Sequence, residues 1–276
     1  AQAAACYEQV LKISPDSAEA RNNLGNVFRE MGRNEQAIAC YEQALRIRPD
    51  YAEAHSNLGI VLNRQGKLDE ALSRFREALR LKPDFPDAHS NLLLALNYDS
   101  RAEPETVFAE HREFARRYAE PLATTILSHA NERSPDRRLK IGYVSGDFNK
   151  HAVSHFIEPV LAQHDHESYE IFCYFNHPVA DEMTQHLQSY GGQWRMIAGL
   201  PDESVAQLIR EDSIDILVDL SGHTGESRLL VFARKPAPVQ VTWLGYPNTT
   251  GLPTMDYRLT DGFADPPGLT EHLHTE

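Results

Sequence analysis

The sequence predicts two fold classes in tandem: paired α-helices repeated over residues 1–96, then an α/β domain with a parallel sheet over 139–276, joined by a helical linker over 97–138. A pentapeptide recurs at a constant step near the N-terminus. Strand-like and helix-like runs alternate strictly in the second half, and a polar stretch, Asn131-Glu132-Arg133-Ser134-Pro135-Asp136-Arg137-Arg138, separates the two regimes. Length fits this division, since 276 residues correspond to about two domains.

Tyr7-Glu8-Gln9-Val10-Leu11 returns as Tyr41-Glu42-Gln43-Ala44-Leu45 and as Phe75-Arg76-Glu77-Ala78-Leu79, a step of 34 residues each time. Pro15, Pro49 and Pro83 keep that step, as do Ala20, Ala54 and Ala88, and Leu24, Leu58 and Leu92. This period, with a Leu-Gly pair, a mid-repeat Gly, an aromatic and a closing Pro, marks tetratricopeptide repeats. Gly25 and Gly59 allow the first helix of each repeat to approach the second, Gly32 and Gly66 turn the chain between them, and Ala37 and Ala71 are small for packing. The third copy replaces Leu-Gly by Leu92-Leu93 and lacks the mid-repeat Gly, so a terminal helix is expected there, with Leu93 packed against something other than a further repeat. Residue 1 is not Met and the helical pattern is established by Tyr7, so further copies are expected upstream. Asn23, Asn57 and Asn91 also recur at the step. They are either a solvated polar position or a ladder of amides able to pair with the main chain of an extended peptide, and repeats of this kind bind proteins.

In the linker, Thr106–Tyr118 has an amphipathic helical pattern. Beyond it, strands are expected at Leu139–Ser145, Tyr169–Phe175, Trp194–Ala198, Ile214–Leu220, Pro238–Leu244 and Met255–Thr260. Helices are expected at Ser154–Gln163, Asp181–Tyr190, Asp202–Glu211 and Ser227–Ala233. Such alternation implies a parallel sheet with right-handed crossovers, with ligands beyond the carboxyl ends of the strands.

Three post-strand loops therefore carry the candidate chemistry. The first, Ser145 to His155, contains His151, a candidate general base because imidazole titrates near neutral pH. His151 and His155 stand four apart without the acid or third ligand that zinc requires, so no metal is expected. In the second, Asp219 to Gly225, Gly222 and Gly225 permit close backbone approach while Ser221 and Thr224 offer hydroxyls beside His223. A sugar- or phosphate-contacting loop and a structural turn both fit it. The third, Trp243 to Gly251, combines Tyr246 and Pro247 with Thr249 and Thr250, suited to a sugar ring or base but equally to a rigid turn.

Composition narrows the partners. Lys and Arg total 27 against 40 Asp and Glu, a net charge of −13, which gives no attraction to nucleic acid or an anionic membrane. Apolar residues are 41%, aromatic 9% and charged 24%, as in a folded globular chain. No run reaches the roughly 18 apolar residues of a membrane span and no signal peptide is visible. Cys6, Cys40 and Cys173 are too few and too scattered for a disulfide framework or metal clamp, and a reducing, cytoplasmic setting is expected.

In this order the segments resemble the O-GlcNAc transferase family, including its bacterial and plant SPINDLY-type members. The resemblance rests on the repeats ending Leu81-Lys82-Pro83-Asp84-Phe85-Pro86-Asp87-Ala88, on Gly142-Tyr143-Val144-Ser145-Gly146-Asp147-Phe148 with His151 and His155, on Arg234-Lys235-Pro236-Ala237-Pro238-Val239-Gln240, on Trp243-Leu244-Gly245-Tyr246-Pro247, and on Asp256-Tyr257 with Thr260-Asp261. It implies an α-helical TPR solenoid followed by the α/β, Rossmann-like N-terminal lobe of a GT-B glycosyltransferase. The implied reaction is inverting and metal-independent, uses no cofactor, and moves a sugar, N-acetylglucosamine from UDP-GlcNAc, to Ser or Thr of proteins recruited by the repeat groove.

By the same resemblance His151 matches the family's active-site histidine, and Ser221, Gly222, His223, Thr224, Tyr246, Pro247, Thr249 and Thr250 lie where sugar and acceptor are contacted. Asn23, Asn57 and Asn91 match its peptide-holding ladder. Ser221 departs from the family's Asn, and His223 from its Tyr. Glu276 falls near the end of the first lobe, so the lobe that binds uridine and diphosphate lies outside the sequence, and this chain alone is expected to turn over little donor. Two other readings stay open: a TPR adaptor without catalysis, and a transferase using another nucleotide sugar such as GDP-fucose. No nucleic-acid or membrane partner is expected, and repeat helices can self-associate.

Overall fold

A computed structural model describes residues 2–134 and 136–276; Ala1 and Pro135, the latter inside the predicted boundary stretch, lie outside the described residues. The chain divides into two compact units, Ala1–Ala102 and Glu103–Glu276. The expected linker is thus shared: its first residues close the helical unit, and the rest folds with the sheet.

The first unit contains α1 (Gln2–Ile13), α2 (Ala18–Glu30), α3 (Asn34–Ile47), α4 (Ala52–Arg64), α5 (Leu68–Leu81) and α6 (Pro86–Leu96). The sequence repeat therefore begins on a second helix, runs through two complete pairs and ends on a first helix. A Cβ on Gly25 would stand 2.5 Å from the Tyr41 ring, and one on Gly59 would stand 2.7 Å from the Phe75 ring. Both rings are fully buried, so the recurring aromatic sits directly on the recurring glycine of its partner helix. Gly32 and Gly66 have φ of 71° and 74°, the left-handed conformation expected of the turn between paired helices. Ala37, Ala71 and Leu93 are fully buried.

Replacing Gly59 by Ala is expected to destabilise the protein by about 1–3 kcal/mol, because the Phe75 ring has no free rotamer to retreat into. Thermal unfolding of Gly59→Ala and of the double variant with Phe75→Leu checks this; the smaller side chain should recover part of the loss.

The second unit opens with α7 (Pro104–Phe114), which runs into a π-helical turn (Ala115–Ala119) and a 3-10 turn (Glu120–Thr125). It continues β1 (Leu139–Ser145), α8 (Ala152–Gln163), β2 (Tyr169–Phe175), α9 (Glu182–Gln188), β3 (Gln193–Met196), α10 (Asp202–Glu211), β4 (Ile216–Asp219), α11 (Leu229–Phe232), β5 (Val239–Trp243) and β6 (Tyr257–Leu259). The six strands are parallel in the order β3-β2-β1-β4-β5-β6.

Local chemistry trims several expected elements. Asp181 caps α9 instead of belonging to it, accepting from the Thr184 amide while the Thr184 hydroxyl answers the Asp181 amide. Strand β4 starts at Ile216 because Ser213 is left-handed and the Asp215 carboxylate is engaged by Arg137, Asn131 and the Lys140 amide. Tyr143, Phe148, Ile157, Leu161, Ile171, Phe175, Leu187 and Val218 form the main core of this unit. With Phe148 and Leu220 in it, the core anchors the starts of the first two post-strand loops.

Candidate active site

The three loops follow β1, β4 and β5, and those strands are neighbours in the sheet. Strand order turns back between β1 and β4, and the rule for open parallel sheets puts a ligand crevice beside the first two loops.

The first loop is fixed through its backbone. The Asp147 amide donates to Ser145 Oγ (2.9 Å), and Ser154 Oγ donates to the carbonyls of Asp147 (2.6 Å) and Asn149 (2.7 Å). His151 is the N-cap of α8: its Nδ1 accepts from the Val153 amide at 3.3 Å. Its side chain is 49% exposed, and Nε2 has no hydrogen-bond partner among the described residues. The Asp147 carboxylate comes within 3.7 Å of His151 Nδ1 and has no hydrogen bond of its own among those residues. Burial raises the Asp147 pKa above the ordinary value, and His151 and His177 oppose that shift. His155 is exposed one turn along α8, and no three His, Cys, Asp or Glu side chains gather as a metal site among the described residues.

The second loop is organised by Asp219, whose carboxylate accepts from the amides of Ser221 (3.1 Å) and Gly222 (2.9 Å) and from Thr242 Oγ1 (2.9 Å). Asp219 is 1% exposed, and burial pushes its pKa up to about 6 despite those bonds, with Glu276 adding to the rise. The strand's last residue therefore ties β4, the loop and β5 together. Ser221 is buried and its Oγ has no partner among the described residues, while Thr224 Oγ1 donates to the Ser221 carbonyl. Glu226 takes a left-handed φ of 57°, and a Cβ on Gly146 would stand 2.3 Å from its Cβ, so the end of this loop lies on the first.

The third loop interlocks with the second. A Cβ on Gly222 would meet Tyr246 Cβ at 2.3 Å, and one on Gly245 would meet the Leu220 carbonyl oxygen at 1.9 Å. His223 Nε2 hydrogen-bonds the Thr250 carbonyl (2.9 Å). The Thr250 amide and Thr249 Oγ1 each donate to the Glu276 carboxylate at 2.7 Å. Tyr246 is 7% exposed, with its hydroxyl 2.8 Å from His111 Nε2 and its ring among those of His111 and His223.

The structure thus joins Ser221, Gly222, His223 and Thr224 to Tyr246, Thr249 and Thr250, and sets His151 on the adjacent loop. The reading of Tyr246 and the two threonines as an open surface for a sugar ring gives way to a different arrangement. Tyr246, His223, Thr249 and Thr250 are buried and bonded to protein, so they frame the loops, while Pro247 is exposed and Thr224 half-buried with its hydroxyl on the Ser221 carbonyl. Asn23, Asn57 and Asn91 occupy α2, α4 and α6 of the helical unit, where they are half-buried. Asn57 is tied to its own unit, donating to Asn22 (2.9 Å) and accepting from Arg29 (3.2 Å).

Sequence reasoning did not single out Asp219, Asp147, His111 or Glu276. An acid closing an apolar strand was a readable signal for Asp219. His111 gave none, because its partner is 135 residues away.

The profile of glycosyl transferase family 41 matches residues 71–276, and tetratricopeptide profiles match 1–32, 25–66 and 52–85. A rice protein named probable UDP-N-acetylglucosamine-peptide N-acetylglucosaminyltransferase SPINDLY is 47% identical over 171 residues, 60% of this chain and 18% of that one. The UDP-N-acetylglucosamine-peptide N-acetylglucosaminyltransferase of Caenorhabditis elegans is 35% identical over 173 residues, 60% of this chain and 15% of that one. A solved point mutant of the Thermobaculum terrenum O-GlcNAc transferase superposes with a TM-score of 0.93 and 42% identity, covering 99% of this chain and 52% of that one. The chain therefore spans less than a fifth of these curated relatives and about half of the solved structure.

Proposed function

The chain belongs to glycosyl transferase family 41, and on that premise we propose that the protein transfers N-acetylglucosamine from UDP-GlcNAc to Ser or Thr hydroxyls of proteins held by its repeats. The observation that carries the reading is the half-exposed imidazole of His151 beside the sheet's switch point, in a chain that resembles a solved O-GlcNAc transferase along 99% of its length.

In the proposed step the acceptor oxygen bonds to the anomeric carbon as that carbon's bond to the diphosphate oxygen breaks. The configuration inverts, UDP leaves with the electron pair of the broken bond, and the hydroxyl proton passes to a base, for which His151 Nε2 is the candidate; no metal or cofactor takes part. His151 Nε2 faces the reactants, and the hydroxyl of Thr224 lines the crevice. The amides of Asn23, Asn57 and Asn91 hold the acceptor main chain. Unpaired Cys6, Cys40 and Cys173, and the lack of any helix long and apolar enough to cross a membrane among the described residues, support a cytoplasmic setting.

The test uses the full-length protein with an acceptor protein, chelator in the buffer, and UDP-GlcNAc or GDP-fucose as donor. Release of UDP with sugar on the acceptor is expected. His151→Ala should lower turnover by about 100-fold with acceptor Kd within twofold, and unchanged turnover would remove His151 from the catalytic group. Transfer from GDP-fucose alone would replace the donor assignment, and transfer from neither would leave a protein-binding scaffold.

A further inference from the structure

His151 Nδ1 stands between two groups that want opposite things from it. The Val153 amide, 3.3 Å away, can only donate, so it needs Nδ1 bare. The Asp147 carboxylate, 3.7 Å away, can only accept while ionised, so it needs a proton on Nδ1. One nitrogen cannot serve both. When it caps α8, neutral His151 carries its proton on Nε2 and presents a donor to the crevice. When it turns to Asp147, Nδ1 holds the proton, and Nε2 presents a lone pair. Lys150 beside His151 has its amide tied to the Asp181 carboxylate (2.8 Å), and His177 faces Asp147 from the loop after β2.

We propose that Asp147 is a positioning residue that competes with the α8 amide for His151 Nδ1 and thereby decides whether Nε2 meets the reactants as a donor or as an acceptor. The arrangement itself is independent of any transfer; its effect on chemistry rests on the proposed transferase reading. Two observations support it. The Asp147 carboxylate is only 19% exposed yet has no hydrogen bond among the described residues, and the His151 cap is a long one at 3.3 Å. A carboxylate so placed gains from any swing of the ring towards it.

Long-range proton–nitrogen correlation spectra of the histidine side chains report the tautomer of His151 at neutral pH without donor or acceptor. In Asp147→Asn the ratio of Nδ1-protonated to Nε2-protonated His151 should fall by about fivefold. In Val153→Pro, which removes the amide that caps onto Nδ1 together with a buried side chain of the core, the ratio should rise wherever the fold is kept. Amide fingerprints of the rest of the chain check folding; if the proline variant does not fold, Asp147→Asn decides alone. An unchanged ratio in Asp147→Asn overturns the proposal. A shifted ratio in a full-length protein that transfers no sugar would sustain the competition and defeat only the transferase reading.

Discussion

Gly245→Ala is expected to destabilise the second unit by at least about 3 kcal/mol and to abolish whatever the crevice binds. The added methyl would lie 1.9 Å from the Leu220 carbonyl oxygen and 2.6 Å from its carbon, both backbone atoms at the end of β4. No side chain can rotate away to relieve that clash. Either β5 and its loop move off β4, or Leu220, fully buried in the core, is pushed out. Asp219 then loses its geometry with the Ser221 and Gly222 amides, so the damage spreads along the second loop. Gly225→Ala is the control: a Cβ there meets nothing and its φ is ordinary, so the change should be neutral or stabilising by a few tenths of a kcal/mol. Chemical denaturation of both variants gives the comparison, and equal midpoints would contradict the interlock.

The second large effect is a pH dependence. Asp219 rises from the ordinary 3.8 to about 6 in the folded protein because its charge is buried. Folding therefore favours the protonated acid. This contribution is complete below pH 3.8 and is lost as pH climbs through about 6. Above that, the fold carries a buried anion at a cost of about 3 kcal/mol, the free energy of a roughly hundredfold change in proton affinity. Asp219→Asn keeps an oxygen for the two loop amides and turns its own amide towards Thr242 Oγ1, which can accept. The variant should match the native protein near pH 4 and exceed it by about 3 kcal/mol at pH 7, as read by urea unfolding at each pH. Parallel curves for the two proteins would show that Asp219 does not titrate in this window.

What could be read from the sequence were features that repeat or alternate. Gly25 and Gly59 could be placed on the face between paired helices because they keep the 34-residue step, but the rings they receive, Tyr41 and Phe75, had to be seen in the fold. The strands could be placed because helices of ordinary length intervene, and strand position in turn located the three loops. The interior of those loops was not readable. Whether Tyr246 faces a ligand or the core depends on His111, 135 residues away, and whether Thr249 and Thr250 are free depends on Glu276. Hydroxyls and aromatics in a turn look alike in sequence whichever way they point. Element ends moved for a related reason: Asp181 and Asp215 adjoin a helical and an apolar strand pattern in sequence, but their carboxylates are used for a cap and an ion pair.

The ring-on-glycine joints of the helical unit also have a mechanical consequence. A buried ring seated on a bare α-carbon is stiff in compression and cannot slide, because any shift drives the ring into the neighbouring turn. Such a joint lies within each pair, α2 with α3 and α4 with α5, and none lies between pairs. Between the pairs there are polar ties instead: Asn57 donates to Asn22 and accepts from Arg29, and His55 Nε2 hydrogen-bonds the Pro49 carbonyl at 2.9 Å, so bending there would have to stretch hydrogen bonds and not displace a buried ring.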